Sequence, residues 1–356
     1  MTCVQLLVGT KAGLLIYRSD ATRRVWQVDG PHFNGWSVDC VWGDSLHGDR
    51  IFAGISHPEQ GVSLQLSTDG GESWQALTHG PQYPPESGLT LRRIWQITPA
   101  APSQPDTYYA GGDEAGLFIS HDRGHCWQEV LGLNRHPARA NWRPSRGGMT
   151  LHNVLIDPTA PDRIWVAIAS AGIWRSEDGG AHWQPCNQGL RTFNTANGSS
   201  YLVHKLTHDP HNPQILYLQN IDGVYCSTDG ADTWQPFEEG LPSRFGFPFG
   251  VDHRGNRYVA PQDGETRGAI DGRLVVYRRR QSDAVWQPFG AGLPTDAPQI
   301  GVLRNALTVD TLDAPGVYFG TTQGTLFYAI DGDGEWTQLP GVWTRVNAVQ
   351  ASLVKA

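Results

Sequence analysis

Between residues 149 and 186 the apolar positions group into four short stretches, 149–157, 163–170, 172–176 and 182–186, parted by Gly, Pro, Asp and Ser. Apolar runs this short, bounded by turn-forming residues, predict β-strands rather than helices. The grouping recurs along the chain as three apolar stretches followed by a brief fourth that accompanies a Trp. Trp at positions 26, 74, 127, 183, 234, 286 and 336 marks the recurrence, at intervals of 48 to 56 residues. Four short strands per unit, repeated seven times, predict an all-β, seven-bladed propeller that takes residues 1–356 as a single domain.

The two ends fit this count. The first Trp arrives after only 26 residues, too few for a full set of strands, and an apolar stretch at 345–354 follows the last Trp. The expectation is that this C-terminal strand completes the N-terminal blade as its innermost strand. Closure of that kind leaves no free sheet edge.

Each Trp ends a polar turn. The pattern Ser-x-Asp-x-Gly-x-x-Trp is complete at 67–74, 120–127 and 176–183, and at 227–234 only the Gly is replaced, by Ala231. Weaker copies end at Trp26, Trp286 and Trp336. Gly tolerates the positive φ of a tight turn, and an Asp carboxylate accepts backbone N–H groups across it. The Trp is expected to fill space between neighbouring blades. A calcium loop would need more oxygen ligands than this pattern offers. The motif resembles the Asp-box, or BNR repeat, of sialidases, xyloglucanases, sortilin-type receptors and the photosystem II assembly factor family. The resemblance spans almost the whole chain and implies a propeller with Asp-boxes between the third and fourth strands of its blades. It leaves the chemistry open, because those relatives include hydrolases, receptors and assembly factors.

Composition narrows the partners. A formal net charge of −8 and one tight basic triplet, Arg278-Arg279-Arg280, argue against nucleic acid and anionic membrane. No apolar run reaches the roughly 20 residues of a membrane helix, and the N-terminus lacks the features of a secretory signal. Five cysteines (Cys3, Cys40, Cys126, Cys186, Cys226), widely spaced and without CxxC, fit neither a disulfide framework nor a zinc ribbon. The expected location is the cytoplasm.

Function is sought on the face opposite the Asp-boxes, where the connections 78–90, 131–148, 187–200 and 262–272 are long. The connection 131–148 carries Arg135, His136, Arg139, Trp142, Arg143 and Arg146. The innermost strands are placed in register by the residues that end them: Asp44, Thr98, Asp157, Asp209, Asp252 and Asp310. Counting five residues back gives Asp39, Arg93, His152, His204, Phe247 and Asn305, a mostly polar arc around a central channel. His57, Asp113, Glu114, Asn220 and Asp263, at the ends of second strands, are placed near the same mouth. A one-residue slip in register would turn these side chains away.

Three uses of the arc follow. It is a water-filled polar lining, or it binds a polar or anionic small ligand or a partner's segment. The binding reading assigns contacts to Arg93, His152, His204, Asp39, His57, Asn305, Trp142 and Arg143, with Arg93 as a carboxylate clamp. It needs no cofactor. The third use is enzymatic: a diverged glycoside hydrolase with Asp39, Asp113 and Asp263 as candidate carboxylates, or a divalent-metal enzyme with His57, His152 and His204 as ligands. The sialidase resemblance implies three arginines, for which Arg93, Arg304 and Arg345 are available. The Phe-Arg-Ile-Pro motif is missing, however, its nearest counterpart being Arg92-Arg93-Ile94-Trp95. The xyloglucanase resemblance implies two propellers around a cleft, where this chain supplies one.

Overall fold

The computed structural model describes residues 2–44, 50–144, 148–195, 198–332 and 334–355. Among them the strands form five four-stranded sheets, one eight-stranded sheet and a two-stranded hairpin. Within each four-stranded sheet the strands follow chain order, and the pairings are antiparallel, as short hairpin connections require. The fold is all-β, and its sheets fit a β-propeller. Among the described residues helix is confined to Leu131–Asn134 and to two 3₁₀ turns, Pro85–Ser87 and Pro137–Asn141.

The chain divides into two compact units: residues 1–53, 66–75 and 238–356, and residues 54–65 and 76–237. The first contains the eight-stranded sheet. There Val346–Lys355 pairs antiparallel with Thr2–Thr10, from Thr2 opposite Lys355 to Thr10 opposite Val346. On its other side it meets Val302–Val309 through one parallel pair, Asn305 with Ala348. The core of this unit is aromatic and aliphatic, with Tyr17, Tyr258, Phe319 and Val346 fully buried. The second unit buries Leu117, Leu151, Ile164 and Val166 in one cluster and Trp165, Leu218, Tyr225 and Trp234 in another.

The Ser-x-Asp-x-Gly-x-x-Trp turns join third and fourth strands, as at Gly172–Ser176 and Gln184–Pro185. In each, the Ser hydroxyl donates to the Asp and accepts a backbone N–H four residues on. Ser176 Oγ lies 2.9 Å from Asp178 Oδ1 and 2.8 Å from the Gly180 nitrogen. Asp178 Oδ1 then accepts the His182 N–H at 2.9 Å. Equivalent bonds hold Asp69, Asp122 and Asp229. Gly180 has φ 97°, and a Cβ there would come within 2.7 Å of Val130 Cγ1, so geometry and space both demand glycine. Ala231 adopts φ 76° in the fourth turn, held there by the same bonds. The Trp roles divide. Trp74, Trp127 and Trp183 donate their indole N–H to their own turns, whereas Trp234 reaches Cys186 O and Trp336 reaches Phe289 O on the preceding sheets.

The Asp residues that end the first strands are buried turn organisers. Asp157, Asp209, Asp252 and Asp310 are each at most 6% exposed. Tyr217, Tyr258 and Tyr318 donate phenolic hydrogens to Asp209, Asp252 and Asp310 at 3.2, 2.9 and 2.6 Å. Burial, reinforced by the Asp310 charge, pushes the Tyr318 phenol far above its ordinary range, which keeps it a donor.

The turn carboxylates make stability sensitive to acid. Backbone and side-chain bonds from His182 hold Asp178 at about 2, below the ordinary carboxylate value. A depressed folded-state value contributes stability above the unfolded value, near 4, that is lost as pH falls toward 2. Asp178→Ala is therefore expected to lower Tm at pH 6 and to make the decline of Tm between pH 4 and pH 2 shallower. Melting curves followed by circular dichroism at several pH values check this; parallel declines would refute it.

Candidate functional site

In the second unit three first strands lie side by side: Ile94–Pro99, Leu151–Ile156 and Val203–His208. Each carries a register shift against its second strand, between Ile94 and Gln96, Leu151 and Asn153, and Val203 and Lys205. The residues left over are Trp95, His152 and His204. A β-bulge re-aims the side chain it contains, so these three stand at equivalent positions.

Side-chain amides hold the strands in line. Gln96 Oε1 accepts the Val154 N–H at 2.9 Å, and its Nε2 donates to Val154 O at 3.2 Å. Asn153 Oδ1 in turn accepts the Leu206 N–H at 2.9 Å, while its Nδ2 donates to Gln96 Oε1 at 3.2 Å. Each amide replaces backbone pairing that adjacent first strands do not otherwise make.

This alignment corrects the sequence-derived register at one place. The backbone N–H of Asp113 bonds to Arg93 O, as Ala169 does to Thr150 O and Ile221 to Leu202 O. Arg93 therefore matches Thr150 and Leu202, two residues before the row of His152 and His204, and Trp95 takes the place in the row. The strand-ending bonds explain the error: Ala100 N to Thr107 O matches Asp157 N to Arg163 O and Asp209 N to Ile215 O. The end marker is Ala100 and not Thr98, and a marker without a carboxylate left no signal.

Arg93 is exposed at the entrance to its strand. Its guanidinium lies over the Trp95 ring, 5.6 Å from the centroid. The indole is itself anchored, donating to Asp113 Oδ1 at 2.6 Å. Beside it Arg92 pairs with Glu114 at 2.9 Å. Arg139 donates to Glu114 O and Ala115 O, both at 2.8 Å, and so fastens the 131–148 connection to this turn. Tyr83 also donates to Glu114 O, at 3.2 Å, and burial raises its phenol to about 12.

The remaining expected residues fall elsewhere. Trp142 is 8% exposed and packs edge-on against Trp174 at 5.3 Å, with Arg139 over its ring at 5.2 Å. It anchors its loop and is not presented to a ligand. Arg143 is exposed and bonds back to Ala140 O and Trp142 O; Arg146 lies outside the described residues. His57 accepts the Glu59 N–H through Nδ1 at 3.2 Å. Among the described residues no three His, Cys, Asp or Glu side chains gather as a metal-binding group, so His57, His152 and His204 do not form a ligand set. All five cysteines are free thiols, and among the described residues no helix is long and apolar enough to cross a membrane.

In the first unit Asp39 accepts the Ser37 hydroxyl at 2.9 Å, and Asn347 donates to Ser37 Oγ and Val38 O. Asp263 caps its own loop, accepting the Glu265 and Thr266 N–H groups and the Thr266 hydroxyl. Those Thr266 bonds lower its carboxyl below the usual value. Arg304 lies over the Phe247 ring, and Arg345 Nε donates to Asn347 Oδ1. The three candidate carboxylates all serve as local hydrogen-bond acceptors. Asn305 sits at the parallel pairing with Ala348.

With this geometry in hand, residues 65–76 match the model of the BNR/Asp-box repeat. The chain carries that repeat. It is also 24% identical over 294 residues to a xyloglucanase of Paenibacillus sp., an alignment that covers 68% of this chain but 28% of the relative's length. An ancestral GH74 enzyme shares the fold at a TM-score of 0.58 and 19% identity, over 88% of this chain and 38% of that one. A structure of YCF48 bound to D1 peptide shares it at 0.51 and 14% identity, over 87% and 85% of the two chains. The likeness is to xyloglucanases in sequence and to the GH74 and YCF48 structures in fold. The match spans just over a quarter of that xyloglucanase's length.

The amide clamps give a direct test. Gln96→Leu leaves the Val154 N–H and C=O without their partner and is expected to cost about 1–3 kcal/mol, read as a lower urea midpoint. An unchanged midpoint would show that the clamp contributes nothing.

Proposed function

We propose that the sheets close as one seven-bladed propeller, with Val346–Lys355 innermost in the blade that Thr2–Thr10 begins, and that the protein binds an anionic group at Arg93. The ligand is a polar small molecule or a segment of a partner. The Arg93–Trp95–Asp113 arrangement carries this reading. Asp113 fixes the indole, and the indole face supports the guanidinium. A guanidinium held over an indole is restrained there, and its N–H edge matches a carboxylate in two parallel bonds. Arg92 and Arg139 meet the same turn, Arg92 pairing with the Glu114 carboxylate and Arg139 donating to the Glu114 and Ala115 carbonyls. This is a local positive surface on a chain of net charge −8, and it would steer anions to one place. A polypeptide ligand is consistent with the shared fold of the peptide-bound YCF48 structure.

The probe is a fluorescein-labelled hexaglutamate, followed by anisotropy at low salt. Arg93→Ala is expected to weaken its binding about tenfold or more, equivalent to about 1.4 kcal/mol, while Arg280→Ala, on the first unit, leaves it unchanged. Equal losses in the two variants, or none in Arg93→Ala, would reject the site.

A second reading, a diverged glycoside hydrolase, is favoured by the similarity to xyloglucanases. A panel of xyloglucan oligosaccharides and aryl glycosides, sialosides included, tests it. Turnover abolished by Asp113→Asn or Asp263→Asn would support hydrolysis, and an inert panel would count against it.

A further inference from the structure

Gly61–Ser67 is the third strand of its sheet, and the short Gln75–Ala76 is the fourth. Just past that fourth strand the Leu77 N–H donates to Leu64 O at 2.9 Å, as Val130 does to Leu117 O and Cys186 to Ile173 O in the next two sheets along the chain. Leu64, Leu117 and Ile173 therefore hold equivalent places. In a strand the N–H and C=O of one residue point to the same side. Each of the three thus turns its N–H toward the outer edge as well.

Two of these N–H groups meet a carboxamide from the connection that follows. Asn134 Oδ1 accepts the Leu117 N–H at 2.8 Å, while its Nδ2 donates to Leu117 O at 3.1 Å. Asn187 Oδ1 accepts the Ile173 N–H at 2.7 Å. Counted from Leu77, the place of Asn187 falls on Thr78 and that of Asn134 on Pro81, and neither carries a carboxamide. A cavity of about 260 Å³ lies at this edge, lined by Leu64, Leu77, Thr78 and Pro81. Leu89 and Leu91 extend its apolar wall, and no charged side chain lines it. The Tyr83 phenol, also in the wall, is kept neutral by burial, which raises it to about 12.

We propose that this cavity binds a small neutral carboxamide with a compact aliphatic body. The ligand's amide oxygen accepts the Leu64 N–H and its amide N–H donates to Leu64 O, the two bonds that Asn134 makes to Leu117. Its aliphatic body packs among the leucines. An apolar cavity of about 150 Å³ takes up benzene, so this larger one admits a branched amide of roughly five carbons. A carboxylate of the same shape fits poorly. Its second oxygen would face Leu64 O, and no cation in the wall offsets the loss of its hydration. The site is thus distinct in ligand charge from the one at Arg93.

Isovaleramide is the probe, titrated to about 50 mM into protein labelled with nitrogen-15 leucine. The readout is the Leu64 amide resonance, identified by its loss in Leu64→Ile. A saturable shift of that resonance is expected. Methyl isobutyl ketone has the same shape with a methyl in place of the amino group. It is expected to bind at least about fivefold more weakly, the effect of one lost hydrogen bond, and isovalerate to leave the resonance in place. An unmoved Leu64 resonance with isovaleramide overturns the proposal, and so does an equal response to either analogue. Thr78→Asn sets a carboxamide at the position that Asn187 occupies in its own sheet. It is expected to weaken isovaleramide binding at least about fivefold by competing from within. Unchanged affinity in a variant that melts at or above the parent's Tm would also overturn the proposal.

Discussion

The first strand of a sheet has one edge paired to its own sheet and one edge with little or no strand pairing. Its N–H and C=O groups on that second edge still demand partners once water is excluded. In the second unit Gln96 and Asn153 supply them, each reaching from one first strand to the next. The first unit repeats the solution, with Gln350 Oε1 accepting the Gly43 N–H and Asn347 donating to Val38 O. A carboxamide suits this task because it offers a donor and an acceptor at once, as a peptide group does. These amides fix the spacing and the height of adjacent strands. The side chains before them inherit that alignment, and so Trp95, His152 and His204 form a row.

The Asp-boxes meet the same demand by different means. There the carboxylate and the hydroxyl satisfy a turn within one hairpin, so each box is self-contained. Relations between sheets fall instead to long side chains. Arg175 donates to Gly230 O at 2.7 Å and pairs with Asp232, and Arg23 spans from its turn to the buried Asp310 at 2.9 Å. The repeated turns are thus rigid and alike, each closed by its own Ser and Asp.

The sequence made the repeated turns legible and left the first strands and long connections partly hidden. Gly180 cannot be replaced without strain, so its position is written in every full copy of the turn. The strands of the sheet at 151–185 fall where their apolar runs place them. Bulges leave no such trace, because one extra residue in a strand has no composition of its own. The register of Arg93 failed for this reason together with the silent marker at Ala100. Trp142 misled in another way. An aromatic residue in a long polar connection reads as exposed, yet a helical turn and the Trp174 face bury it. Gln96 was overlooked because a polar residue in an apolar strand has no visible purpose until its neighbour is known.

The pairing of Thr2–Thr10 with Val346–Lys355 sets a clock. The sheet containing the earliest strand cannot be finished until a strand made 336 positions later has emerged. At about 5–20 residues per second, translation leaves that edge waiting for roughly 17–67 s. During that interval the edge of Thr2–Thr10 is a template for any extended chain nearby. The length of that interval is set by the distance along the chain between two strands that end as neighbours, and a chaperone that shields strand edges would act within it.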